Sequence, residues 1–160
     1  MDNPLLSREP KSTGSFVAIG GHPLHPMLVA FPIAYLVSAL GCDAAFWWTG
    51  DPFWARVSMW ILGAGFLMGL IAAVAGTLDF MIVREIRHLV TSWSHFLAAV
   101  MMLSLCGANW WLRLDDPAGN VLPWGVYLSA VSVLALTVAG WLGGKLVFEH
   151  NVGTDNDYKM

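Results

Sequence analysis

Four apolar runs, about Met27–Trp48, Phe53–Val83, Thr91–Leu112 and Pro123–Phe148, take up most of this chain. Each is at least as long as the roughly 20 residues that a helix needs to cross about 30 Å of hydrocarbon. Backbone N–H and C=O groups find no water at that depth, so each run must satisfy them internally, as a helix. The links are short: Thr49–Pro52, Arg84–Val90 and Asp115–Leu122. Consecutive helices therefore lie antiparallel. The expected fold is all-α, an integral membrane four-helix bundle with up-down-up-down order. A polar N-terminal tail over residues 1–20 and a polar C-terminal tail over 151–160 would flank a transmembrane domain over 21–150.

Composition agrees. Only 12% of the 160 residues are charged, against about 25% in soluble domains, too few to coat a globule in water. The net charge of −3 leaves no basic footprint, so no nucleic-acid partner is expected. The polar first 15 residues and the long run that follows give no pattern of a cleavable leader.

Basic residues set the expected orientation. Arg8, Lys11, Arg84, Arg87, Lys145 and Lys159 fall on the side of the termini, and Arg56 and Arg113 on the other. That bias puts both termini in the cytoplasm and the protein in a bacterial inner (cytoplasmic) membrane. Trp47, Trp48, Trp54, Trp110, Trp111 and Trp124 all fall near the outer interface, where indole rings anchor helix ends. Gly65, Gly69 and Gly76 in the second run, and Gly140 and Gly144 in the fourth, mark expected helix seams.

The same threading gathers the imidazoles. His22 and His25, each followed by proline in His22-Pro23-Leu24-His25-Pro26, are expected at the entrance of the first helix. His95 falls one turn into the third run and His150 just beyond the fourth. Asp79 returns to the same side at the end of the second. Polar groups at membrane depth normally face the bundle interior, so His22, His25, His95 and His150 form a candidate ligand shell. Asp79 could orient an imidazole through its second nitrogen, or bond Arg84 or a tryptophan. His88, between Arg87 and Leu89, reads as solvated, and Asp43 as bonded to backbone or a tryptophan. Pro32 should kink the first helix by removing the hydrogen bond to the Leu28 carbonyl.

The natural occupant of such a shell is haem b, one or two copies, or otherwise a transition metal held by the same imidazoles. Cys42 and Cys106 form no CxxCH pattern, which argues against covalent haem. They could join in a disulfide only with Cα atoms within about 7 Å. Ser38, Ser58, Ser104 and Ser129 lack a G-x-S-x-G context, and neither an HExxH nor a Walker motif occurs. An electron carrier or redox subunit is thus expected rather than a stand-alone enzyme.

The residues also resemble a known family. Gly21-His22-Pro23-Leu24-His25-Pro26-Met27-Leu28-Val29-Ala30-Phe31-Pro32-Ile33 is similar to the opening signature of a bacterial membrane-protein family, domain of unknown function 2231. Thr77-Leu78-Asp79-Phe80, Gly140 to Phe148 and Glu149-His150-Asn151-Val152-Gly153 continue the likeness. The family pattern has histidine where this chain has Ala30, and glycine where it has Asn151. The resemblance implies a four-helix membrane protein, and fusions of some members to Rieske domains imply electron transfer. Its histidines map onto His22, His25, His95 and His150. The expected function is a b-type-cytochrome-like electron-transfer protein of the lipid bilayer, with haem held near the cytoplasmic face. Quinone or another redox protein would be its partner, and a homo-oligomer or complex subunit its assembly. A non-haem metal-binding membrane protein and an accessory or assembly subunit of a respiratory complex stay open.

Overall fold

The computed structural model describes residues 13–154; the remainder of both expected tails, with Arg8, Lys11 and Lys159, lies outside the described residues. The described chain is mostly helical. Two short strands, β1 (Ala18–Ile19) and β2 (His22–Pro23), are followed by α1 (Leu24–Leu28), α2 (Ala30–Thr49), α3 (Pro52–Ile82), α4 (Arg84–Arg87), α5 (Val90–Leu112) and α6 (Val126–Phe148). Four stretches are long and apolar enough to span: Leu24–Thr49, Pro52–Ile82, Val90–Leu112 and Val121–Phe148.

Local chemistry sets the ends. Gly50, at φ 68°, closes α2 in the left-handed region that glycine enters without penalty. Asp51 then caps α3, its carboxylate accepting from the Phe53 amide at 2.8 Å, and Pro52 takes the first helical position, where no N–H is needed. At the other end of α3, the Arg87 guanidinium donates to the Met81 carbonyl. Asn120 donates to the orphan Leu112 carbonyl at the end of α5. Leu122, extended before Pro123, interrupts a wide π-type turn over Val121–Gly125 that leads into α6.

The break expected from Pro32 falls at Val29, between α1 and α2. It lies one residue past Leu28, whose carbonyl Pro32 cannot serve because it has no N–H. His25, expected at the helix entrance, is inside the first turn of α1, where the missing N–H of Pro26 costs nothing.

α2 packs chiefly on α3 and α5 on α6; α3–α5 and α2–α6 contacts join the two pairs. Their common core is Leu36, Ala39, Leu62, Met102, Leu103, Cys106, Ala135 and Leu136. Outside, the large side chains are apolar as well, with Trp60, Leu97, Leu134 and Trp141 all more than 60% exposed. An apolar exterior on this scale suits lipid and not water. In lipid, close packing rather than water exclusion holds helices together, so small residues at seams matter. Gly65 meets Leu36 and Tyr35, and Gly69 meets Leu103 and Pro32. Gly140 and Gly144 make no such seam: a Cβ on Gly140 would touch nothing, and one on Gly144 only Phe148 of its own helix.

Both cysteines are free, and the buried Cys106 thiol donates to the Leu62 carbonyl.

Candidate functional site

His25 and His95 come from different helix pairs and meet in the middle. Their ring centres are 6.0 Å apart and their planes nearly perpendicular, at 84°. Each imidazole is fixed by the partner helix of its own pair. His25 Nδ1 donates to the Ala72 carbonyl on α3, and His95 Nδ1 to the Ala139 carbonyl on α6, both at 2.8 Å. A carbonyl only accepts, so Nδ1 carries the proton and Nε2 of the neutral ring keeps its lone pair. One turn beyond each carbonyl stands a glycine. A Cβ on Gly76 would come within 2.7 Å of His25 Nδ1, and one on Gly143 within 3.2 Å of His95 Cε1. The two halves thus repeat one device: histidine on the first helix, carbonyl and glycine on the second.

The rings line a cavity of about 430 Å³ between the helix pairs, within the range of small-molecule and cofactor sites. Its wall is almost wholly apolar, and Gly140 and Gly144 widen it by having no side chains. Ser15, Pro23, Asp79, Ser92 and Gly153 also line it.

The described parts of the tails form a strap rather than free ends. β1 and β2 pair as a tiny antiparallel hairpin. Thr13 bridges to Val152, its amide donating to Asn151 O and its carbonyl accepting from Gly153 N. Asp79 latches this strap to α3: one oxygen accepts from Ser15 Oγ at 2.7 Å, the other from Val17 N at 2.8 Å. The partner expected for Asp79, an imidazole, arginine or tryptophan, is therefore replaced by the N-terminal segment. Removing that carboxylate in Asp79→Ala should loosen the strap, since each hydrogen bond to a charged acceptor contributes about 1.5–3 kcal/mol. Amide exchange at Val17 and Leu24 should then rise at least about tenfold. Unchanged exchange at both would remove the latch.

The other candidate ligands lie apart. His22 is exposed, its Nδ1 donating to Gly20 O at 2.9 Å. His150 is half-buried with Nε2 3.4 Å from the Thr91 hydroxyl. Neither lines the cavity. His88 is exposed, as expected. Among the described residues, no three His, Cys, Asp or Glu side chains are grouped to hold a metal ion by themselves.

A second polar centre escaped the sequence reading. Arg113, counted there with Arg56 among the basic residues of the side opposite the termini, is wholly buried, as is Asp43, and the two form a bidentate ion pair, with Nη2 2.8 Å from Oδ2. Ser58 and Ser129 each donate to Asp43, and Arg113 Nε donates to Asn109 Oδ1. Asp43 therefore bonds neither backbone nor tryptophan. One signal pointed here. Asp43 follows His25 by 18 residues and Arg113 follows His95 by 18, five full turns at about 3.6 residues each. Despite the break at Val29, that spacing puts each charge near the same helix face as its histidine.

No curated protein and no solved structure matches this chain. A family model, that of a predicted membrane protein (DUF2231), matches residues 21–156, a stretch that takes in both histidines of the cavity, all four spans and the buried ion pair. The chain belongs to that family.

Proposed function

We propose that this protein is a small b-type-cytochrome-like electron-transfer protein, with one haem bound between His25 and His95. The observation that carries this reading is the pair of imidazoles, each tied through Nδ1 to a backbone carbonyl with Nε2 left to bind. Metal-ligating histidines are held in this way, because the carbonyl fixes the tautomer and makes the ligand more basic. The two ring centres are 6.0 Å apart, close enough for both imidazoles to serve one ion at bond lengths of about 2 Å. A set of two donors suits a porphyrin, which brings four nitrogens of its own. The cavity's apolar wall and its bare glycines suit a flat macrocycle.

When bound, haem supplies reversible one-electron chemistry. His25 and His95 would hold the group through their Nε2 atoms, and the apolar lining would keep water from it. Quinone or another redox protein would exchange the electrons. We read the bundle as up-down-up-down with both termini in the cytoplasm of a bacterium, its inner membrane the host. The burial of Arg113 supports this orientation, since it removes a basic residue from the opposite side.

The test is an absorption spectrum of the protein purified from haem-replete cells. A Soret band, with split α and β bands on reduction, is expected. Stoichiometric metal without porphyrin would select the non-haem reading instead.

A further inference from the structure

Ser92 is only 3% exposed, and its hydroxyl has no hydrogen-bond partner among the described residues. Buried hydroxyls are ordinarily satisfied, so an orphan inside a cavity marks a place for a ligand's polar atom. Ser92 lines the same cavity as the histidines and precedes His95 by three residues, on the same face of α5. It also stands in the first turn of that 23-residue helix, which begins at Val90 with no side-chain cap. The amides of Ser92 and Trp93 bond Leu89 O, and the positive end of the helix dipole there favours negative charge. The one carboxylate lining the cavity, Asp79, already accepts from Ser15 and Val17 of the strap.

We propose that the Ser92 hydroxyl, at the positive end of α5, anchors a carboxylate on the edge of the cofactor that His25 and His95 ligate. The inference rests on the haem reading, since haem b combines an apolar ring with two carboxylate arms. Ring and arms match a cavity whose wall is mainly apolar and whose Ser92 hydroxyl is left without a partner. An O–H donor to an ionised oxygen makes a short, strong hydrogen bond, and Ser92 would fix which edge of the ring faces the strap.

The probes are iron protoporphyrin IX and its dimethyl ester, titrated into haem-free protein. Ser92→Ala should weaken binding of the free acid about 10- to 100-fold, the worth of one hydrogen bond to a charged group. It should weaken binding of the ester, whose neutral carbonyl accepts a weaker hydrogen bond, by only about a few-fold, and Ser92→Thr, which keeps the hydroxyl, should bind the acid within a few-fold of wild type. The haem-free Ser92→Ala protein should unfold at the same denaturant concentration as wild type or a higher one, because the hydroxyl it loses bonds nothing. Equal affinity of wild type and Ser92→Ala for the acid overturns the anchor, as do equal losses for acid and ester or a less stable haem-free variant. Failure of wild type to bind either porphyrin sinks the haem reading itself, and the anchor with it.

Discussion

Replacing Asp43 with alanine should destabilise the protein by about 3–5 kcal/mol, because Arg113 would keep a buried guanidinium with no counter-charge. Both residues are fully buried, and the helices around them leave water no route to relieve the loss. Arg113→Ala should cost a similar amount, since it strands the Asp43 carboxylate with only the Ser58 and Ser129 hydroxyls. The double variant should lose clearly less than the sum, as it leaves no charge behind. Unfolding in mixed micelles of rising SDS content measures all three. Losses below about 1 kcal/mol for both single variants would show that the pair does not hold the helices together. The network draws on α2, α3, α5 and α6 through Asp43, Ser58, Asn109 and Ser129, so its loss should loosen the whole end of the bundle.

At the other end, His25→Ala or His95→Ala should lower haem affinity by more than about a hundredfold. Loss of a mere orienting partner already costs about 10- to 100-fold at metal sites, and loss of the ligand itself must exceed that. The remaining iron would be bound on one side only, and the reduced spectrum should lose its sharp α band. His22→Ala and His150→Ala should leave spectrum and affinity within a few-fold of wild type, because neither ring lines the cavity. Haem titration followed at the Soret band separates the four variants. A wild-type reduced spectrum from His95→Ala would end the two-imidazole assignment. Loss of haem on removing His150 would mean that the ligand set reaches beyond the cavity.

Much of this was legible in the chain. The expected helix ends fall within three residues of the observed ones, because apolar length, Gly50, Asp51 and the prolines act locally. The gathering of His25 and His95 at one end followed from counting membrane crossings. The strap was not legible: residues 13–23 carry weak local signals, and their order comes from Asp79, more than 60 positions away. Nor was the fate of Arg113. A basic residue near a helix end reads as interfacial until the rotation of α5 about its axis is known.

Sequence alone determined that the chain forms four helices long enough to span a bilayer, because hydrophobic length and backbone satisfaction are properties of each segment. Only the tertiary structure decided which polar groups meet. Depth in the membrane is set by position along a helix, whereas partnership depends on how neighbouring helices rotate and close on their small residues. For that reason His25 found His95 rather than His22, Asp79 found the strap rather than an imidazole, and Asp43 found Arg113.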